Sequence, residues 1–464
     1  MPLLSSDLGC PLPRRHSKVR DMLMRGKEDT LVASWKLLLE QLRSEIELTL
    51  RAGPAIFPSL HFDDLKNKSR AKDFSCQLRR SGGGVLRGVI SESEARTWNS
   101  ELQAYLAGDD SLASSSAQDP QLYDVYWSPA QVKCRAHPNV LASQKFLMNI
   151  WSSSNHTAGI SHNFPLSYAD RIRCRKSSGS SFLLRPSIEG DSADRWCPDD
   201  SREAFTYKKI WEGNWQIYDP WDSTTRIQTP KHSAQNRNSS SMFRMYQGWL
   251  PLSPLPEGQG SLRLCPMLQA TTAYVLLRPL FSPINSSPTS PEFLSAQNWT
   301  LNPPGSSSIP PASSYRQELS NALHPHLQLS RTMVRIPTLN PGDYFVWHCD
   351  SIHSIDHIKG AGGGDAAIMY LPVCPLTESN ALYLARQRKS FLLGQPGPDL
   401  ANCGRGESIL MDRPGVQEVN EVGGERGLRA MGLLPWDEDD ATNDLEEDLL
   451  ETVNNILFPD RYQN

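Results

Sequence analysis

The stretch from residue 341 to 375, PGDYFVWHCDSIHSIDHIKGAGGGDAAIMYLPVCP, constrains the fold more than any other part of the chain. Its opening Pro-Gly-Asp predicts a tight turn, because proline presets φ and glycine tolerates a positive φ. Residues 344–347 are aromatic and apolar over the length of a buried strand, and a second apolar run covers residues 366–373. The pattern predicts two strands joined by a glycine-rich loop, in a β-hairpin or at the end of a β-barrel.

Histidines and carboxylates are concentrated between these two apolar runs. Of the 11 histidines in the chain, His348, His353 and His357 fall here, together with Asp350 and Asp356. Neutral imidazole is the commonest protein ligand for metals. The cluster therefore predicts metal or substrate contact by at least one histidine. The alternative is that one ring packs in the core and the others face water.

Composition narrows the functional class. The 47 basic and 51 acidic residues give a net charge of −4, which argues against a surface that binds nucleic acid. No apolar run reaches the roughly 18 residues of a membrane span, and no leader pattern opens the chain. The 9 cysteines include no C-x-x-C pair, so we expect reduced thiols. We expect a cytoplasmic protein that acts on a small molecule, without membrane or nucleic-acid partners.

The order of patterns divides the chain of 464 residues into four parts. Residues 1–28 are polar and predict a flexible N-terminus, and residues 29–110 predict helices and a strand that pack on the core. Residues 111–400 hold the strand-rich core, with a Ser- and Pro-rich insertion at 282–314 that we expect to be flexible. Residues 401–464 form a C-terminal extension, whose acidic tail predicts a solvated helix or a weak partner surface.

Two further patterns have the spacing of metal ligands. His61 and Asp63 match the H-x-D form of an iron site, but no strand pattern flanks them, so we interpret the match as a coincidence. His324 and His326 form an H-x-H pair in a polar segment. We expect this pair to be exposed and without a role.

Several segments, in order, resemble the family known as domain of unknown function family 1479. They cover most of residues 55–400 and include GGGVLRGVISESEA, LYDVYWSPAQVKCRAHPN, SMFRMYQGWL, GDYFVWHCDSIH and MYLPVCPLTESNALYLARQRKSFLLGQPGPD. That family is grouped with the iron(II)/2-oxoglutarate-dependent dioxygenases. The resemblance implies an α+β fold, in which a double-stranded β-helix (a jelly-roll or cupin-like barrel) carries flanking helices and the Ser/Pro-rich insertion.

The resemblance also implies a metal site made of two histidines and one carboxylate. His353, which follows the Gly-Asp turn, matches the second histidine of the family. The family's first motif reads Pro-His-x-Asp-Gly-Gly-Ser, whereas residues 186–192 here read Pro-Ser-Ile-Glu-Gly-Asp-Ser. Ser187 therefore stands in place of the histidine and Glu189 in place of the aspartate. The resemblance leaves Glu189 and His353 as the implied ligands of Fe(II).

This departure weakens the implied site. A serine hydroxyl is a poor neutral ligand for iron(II), and a site of Glu189 and His353 alone would bind iron weakly. Four nearby side chains are candidate substitutes for the missing ligand: Asp191, Asp194, His348 and His357. Alternatively, the barrel has lost its metal and kept its pocket.

The co-substrate 2-oxoglutarate is a dianion and needs a buried cation. No arginine follows His353 where many relatives hold that carboxylate. Arg244, Lys359 and Arg388 are therefore the candidates to bind it.

Two functions follow from these features. The first is an iron(II)/2-oxoglutarate-type oxygenase acting on a small organic molecule, whose divergent site favours specialised metabolism. The second is a catalytically degenerate barrel that binds a ligand or a protein partner.

Overall fold

The structure is a computed structural model and describes residues 21–108, 121–154, 159–175, 183–189, 206–227, 242–255, 262–303, 316–356, 366–400, 405–410 and 412–462. Its longer helices are α1 (Glu28–Ala52), α2 (Lys68–Ser81), α3 (Glu92–Ala107), α4 (Pro129–Ala136), α5 (Pro138–Met148), α6 (Leu268–Leu277), α7 (Glu378–Leu393), α8 (Val416–Ala430) and α9 (Asp444–Leu457). Its strands are β1 (Ser59–His61), β2 (Gly83–Arg87), β3 (Leu122–Tyr123), β4 (Ile160–Leu166), β5 (Ile172–Arg175), β6 (Leu184–Glu189), β7 (Tyr246–Pro251), β8 (Leu262–Leu264), β9 (Phe281–Pro283), β10 (Trp299–Leu301), β11 (Arg316–Glu318), β12 (Val334–Arg335), β13 (Tyr344–His348), β14 (His353–Ile355), β15 (Ala366–Tyr370) and β16 (Cys374–Thr377).

Two sheets dominate this α+β fold. Among the described residues, one sheet has the strand order β1-β2-β13-β7-β15-β5-β3 and the other has the order β11-β6-β14-β8-β12. The chain passes back and forth between the sheets, since β5, β7, β13 and β15 belong to the first and β6, β8, β12 and β14 to the second. Neighbouring strands in both sheets are antiparallel except for the pair β1 and β2. Inner faces of both sheets contribute to one hydrophobic cluster.

The two predicted strands of the opening stretch are present, but they do not form a hairpin. Strand β13 pairs with β2 and β7, whereas β15 pairs with β5 and β7. The intervening β14 crosses to the other sheet and pairs there with β6 and β8. The hairpin prediction is therefore wrong, because local pattern does not show that β7 lies between the two strands.

The predicted turn before β13 is confirmed. Gly342 has a φ of 85°, and a Cβ there would lie 2.1 Å from the carbonyl oxygen of Ile90. The position therefore requires glycine both for its backbone conformation and for its close approach to the segment around Ile90.

The helix predicted from residue 29 is also confirmed. It is α1, which buries its apolar stripe and ends at Gly53. Its Trp35 stacks on Phe281 with the ring centroids 4.5 Å apart. None of the described helices is long and apolar enough to cross a membrane.

Part of the predicted flexible insertion is ordered. Strands β9 and β10 pair with each other at residues 281–283 and 299–301. Phe293 and Trp299 are buried, and the Trp299 ring lies 6.3 Å from that of Trp35. These two aromatic side chains supply enough apolar surface to dock the segment. The average composition of the segment, which is rich in Ser and Pro, does not indicate this.

The acidic tail is packed rather than fully solvated. Helix α9 buries Leu449, Leu450, Val453 and Leu457, and it contacts α7 and β4. The expectation of a solvated helix is therefore wrong for one face, because apolar residues recur at helical spacing between the acidic ones.

His324 and His326 are buried, so the expected exposure is wrong. They are only 6% and 5% exposed. Burial lowers the pKa of each ring to about 3. Nδ1 of His326 lies 3.2 Å from the hydroxyl of Tyr274. His61 and Asp63, in contrast, form a pair 3.3 Å apart at the protein surface.

Candidate functional site

Three residues that the sequence singled out, Ser187, Glu189 and His353, lie on strands whose inner faces meet between the two sheets. The apolar lining of this region comes from both sheets and includes Val85, Trp249, Leu262, Leu264, Phe345, Trp347, Ile355 and Ile368. Polar side chains on the same inner faces form the candidate site.

Ser187 and His353 lie directly opposite each other on β6 and β14. Residues paired in this way project from the same face of a sheet. The His353 ring lies 5.7 Å from the ring of Trp347 in the facing sheet, which fixes that face as the inner one. Ser187 and His353 are 1% and 4% exposed. The structure thus brings together the two positions that the family register assigned to histidine ligands.

The tautomer of His353 follows from its hydrogen bond. Nδ1 lies 3.2 Å from the carbonyl oxygen of Ser351, which can only accept. Nδ1 therefore carries the proton, and the lone pair is on Nε2. A ring held in this way is oriented to accept a proton or to bind an electrophile through Nε2.

Two buried polar atoms beside His353 have no hydrogen-bond partner in the structure. They are Oγ of Ser187 and Nε1 of Trp347. Leaving a buried donor unsatisfied costs roughly 1–3 kcal/mol, so native proteins rarely do so without a bound molecule or a water. Ser187 lies on β6 and Trp347 on β13, so the two unpartnered atoms come from the two facing sheets.

Glu189, by contrast, is already partnered. Its Oε2 accepts a hydrogen bond from Nε2 of Gln247 and lies 3.4 Å from Nη2 of Arg244. The Arg244 and Glu189 side chains are 11% and 17% exposed, so this ion pair is shielded from solvent. Arg244 is additionally held over the ring of Tyr168, 5.1 Å from its centroid.

The described residues do not fit a resident iron(II) ion. Ser187 offers a neutral hydroxyl where an imidazole is needed, and the charge of Glu189 is balanced by Arg244 instead of by a metal. A cation bound at Glu189 would be repelled by that guanidinium at close range. Among the described residues, the imidazole of His353 is the one strong ligand that stands in the expected position.

His348 does not replace the missing ligand. Its Nδ1 accepts from the backbone N–H of Asp350 at 3.0 Å, and its Nε2 lies 2.9 Å from the carbonyl oxygen of Pro220, to which it donates. Ligand atoms of residues 348–350 do lie within 4.8 Å of one another. However, the ring has no lone pair left for a metal, and Asp350 pairs with Arg226 at 2.7 Å.

Of the remaining sequence-predicted residues, only Arg388 is among those that the structure describes, and it lies elsewhere. Asp191, Asp194, His357 and Lys359 lie outside the described residues. Arg388 lies on α7, where it donates to the carbonyl oxygen of Gly432 at 3.2 Å and covers the ring of Phe458 at 4.8 Å. Its guanidinium therefore belongs to the contact between α7 and the C-terminal helices.

Sequence analysis missed three residues of the inner faces. Gln247 holds Glu189, Trp347 carries an unpartnered donor, and Arg173 lies opposite the inward-facing Ile368. The alternation of strands was the available signal, since Gln247 and Trp249 share one face of β7.

Comparisons with known proteins find this organisation elsewhere. A model of the family described as Gig2-like matches residues 10–433. The uncharacterized protein YbiU of Escherichia coli (strain K12) is 28% identical over 367 residues, which cover 76% of this chain and 81% of that protein. The crystal structure of GlcNAc inducible gene 2, GIG2 (DUF1479), from Candida albicans superposes with a TM-score of 0.83 at 24% identity, over 97% of this chain and 96% of that chain. That of the hypothetical protein JW0805 from Escherichia coli gives a TM-score of 0.72 at 25% identity, over 92% and 100%.

Proposed function

Since this chain belongs to the Gig2-like family, we propose that it binds a small organic acid between its two sheets and does so without resident iron. The sequence resembles the iron(II)/2-oxoglutarate oxygenases. The pocket would lie where those enzymes oxidise their substrates.

The strand order supports a double-stranded β-helix as the frame of this pocket. Strands β5 to β8 and β12 to β15 alternate between the two sheets, and both inner faces meet in one hydrophobic cluster. This arrangement turns residues of β6, β7, β13 and β14 toward one another across that cluster.

One observation carries the proposal. Ser187 and Trp347 hold unpartnered donors beside His353, while Glu189, the would-be metal ligand, is bound to Arg244 and Gln247. Oxygen atoms of a ligand would satisfy the donors without a metal. Of the described residues, Arg173 and Arg244 place guanidinium groups near these inner faces, and guanidinium groups pair with carboxylates.

A second candidate is the oxygenase itself. Glu189 and His353 both border Ser187 on the inner face of their sheet, as a metal site would require. Arg244 would then have to leave Glu189 before iron could bind.

We expect 2-oxoglutarate, used as a probe, to bind the full-length protein in the presence of EDTA when titrated calorimetrically. Ser187→Val should lower its affinity about tenfold, the effect of losing one useful hydrogen bond. Ser354→Val is the matched control, because Ser354 follows His353 directly and faces the opposite side of β14. Binding that requires added Fe(II) would favour the oxygenase instead. Binding that Ser187→Val leaves unchanged would remove the ligand from this pocket.

A further inference from the structure

We infer that residues 405–410 form a latch that opens when the carboxyl group of Glu407 loses its proton. When closed, the latch holds the end of α7 against the residues that precede α4. When open, it exposes the apolar surface around Trp127 to solvent. This pH-sensitive device does not depend on the proposed function.

Glu407 is the buried anchor of the latch. Of the described residues 405–410, it alone is buried, whereas the others are partly or fully exposed. Its Oε1 accepts hydrogen bonds from the backbone N–H groups of Tyr126 at 2.7 Å and Trp127 at 2.5 Å. A segment with so little buried surface opens at a low cost in free energy once its anchor is released.

The anchor lies where the end of α7 meets Trp127. Nε1 of Trp127 donates to the carbonyl oxygen of Gln395 at 2.7 Å, and the Trp127 ring lies 5.1 Å from the ring of Phe391 on α7. A Cβ at Gly394 would lie 2.8 Å from the carbonyl oxygen of Glu407. Release of Glu407 would therefore loosen the contacts that join α7 to the segment before α4.

The surroundings of Glu407 favour the neutral acid. Oε2 is buried and has no hydrogen-bond partner in the structure. A buried carboxylate with one bare oxygen is costly, whereas a carboxylic acid in the same place carries no charge. Burial raises the pKa of Glu407 from 4.5 to about 7, although the two N–H groups and Arg135 act in the opposite direction.

Arg135, on α4, is the charged side chain nearest in effect to Glu407, but its hydrogen bonds lead elsewhere. Nη1 donates to the carbonyl oxygen of Tyr126, and Nη2 donates to that of Asp170 at 2.7 Å. Nε has no partner in the structure. Burial lowers the pKa of Arg135 to about 10, so its charge is constant while Glu407 titrates. An ionised Glu407 would therefore be only partly compensated.

The titratable groups around Arg135 and at the end of α4 keep their charge near neutral pH. Burial raises the pKa of Cys134 to about 12 and that of Tyr168 well above its usual range. Burial lowers the pKa of His137, whose Nε2 lies 3.7 Å from Glu94. Arg413, which follows the latch, carries a permanent charge. Of these groups and Glu407, only Glu407 is expected to change its charge near pH 7.

The direction of the pH effect follows from the two states of the latch. In the open state Glu407 is exposed to water and returns to its usual pKa of 4.5. The closed state is therefore fully favoured below pH 4.5, and it becomes less favoured as the pH rises through 7.

Hydrogen exchange of the full-length protein tests the latch. Protection factors, which correct for the intrinsic pH dependence of exchange, should fall at least about tenfold from about pH 5 to about pH 8 for the latch and for the amides of Tyr126 and Trp127. Those two amides donate to Glu407 and report its release directly. Strand β13, which is paired on both sides, should lose far less protection.

Glu407→Gln keeps an acceptor for the two amides and cannot ionise, so its protection factors should stay constant over this range. The matched control is Glu425→Gln, which removes an exposed carboxyl group on α8 and should behave like the native chain.

Three results would overturn the inference. One is a native chain whose protection at Tyr126 and Trp127 does not change with pH, which needs no variant and so decides the matter even if Glu407→Gln fails to fold. Another is an equal loss of protection in β13, which would indicate unfolding of the whole molecule instead of a latch. The third is an equal fall with pH in Glu407→Gln, which would assign the effect to another group.

Discussion

The double substitution Ser187→His and Glu189→Asp is expected to raise the affinity for Fe(II) by at least about tenfold, since even outer-shell partners change metal affinity by roughly 10- to 100-fold. Histidine at 187 would stand opposite His353 in the register of β6 and β14 and supply the second imidazole. Aspartate at 189 is one methylene shorter, which would withdraw the carboxylate from Gln247 and Arg244 and free it for the metal.

The measurement is an anaerobic titration of the metal-free protein with Fe(II). The matched control is Ser187→Asn with Glu189→Asp, which changes the same two positions without adding an imidazole. It should bind iron no better than the native chain does. Equal gains in both double variants would show that shortening Glu189 alone accounts for the effect. No gain in either would mean that these positions do not form the metal site of the fold.

Replacing Glu407 is expected to have the second large effect, a loss in the free energy of unfolding. Its side chain is fully buried, and its Oε1 accepts from the backbone N–H groups of Tyr126 at 2.7 Å and Trp127 at 2.5 Å. Glu407→Ala would leave both donors without a partner and is expected to lower the free energy of unfolding by roughly 2–4 kcal/mol. Glu407→Gln keeps an acceptor oxygen in place and should cost less.

The effect of Glu407 depends on pH. Burial raises its pKa from 4.5 to about 7, so between these values the folded state holds a proton that the unfolded state has released. Stability from this group is therefore fully present below pH 4.5 and is lost as the pH rises through 7. The shift corresponds to roughly 3 kcal/mol.

Chemical denaturation of the native chain and of Glu407→Gln across this pH range shows whether the stability from Glu407 falls as the pH rises. The glutamine variant does not titrate, so its stability relative to the native chain should improve as the pH rises. Glu425→Gln is the control, since the Glu425 side chain is 69% exposed. Parallel stability curves for the native chain and Glu407→Gln would show that this carboxyl group does not titrate with folding in this range.

Some of the site was accessible from sequence because it is encoded in local motifs. The family register placed Ser187 and His353 at the two histidine positions of the site, and the structure pairs them across β6 and β14. The relation to this family also holds, since the model of the Gig2-like family matches residues 10–433. The ion pair of Glu189 with Arg244 was not foreseen, because it joins residues 55 positions apart in the chain.

Two other predictions failed because they, too, depended on contacts between residues far apart in the chain. The hairpin prediction took sequence neighbours for spatial neighbours, although β7 separates β13 from β15. His324 and His326 were expected in water because their segment is polar, yet the His326 ring lies 4.8 Å from that of Trp299 and is covered by it. Periodicity and turn chemistry act over a few residues, whereas strand order and aromatic docking depend on contacts between distant segments.

The most direct test of iron-free binding is an anaerobic titration of the native, metal-free protein with Fe(II), followed by 2-oxoglutarate, monitored by absorption. We predict no stoichiometric uptake of iron and no metal-to-ligand charge-transfer band when 2-oxoglutarate is added. Stoichiometric binding of Fe(II) with the appearance of that band would contradict the account and establish the oxygenase alternative.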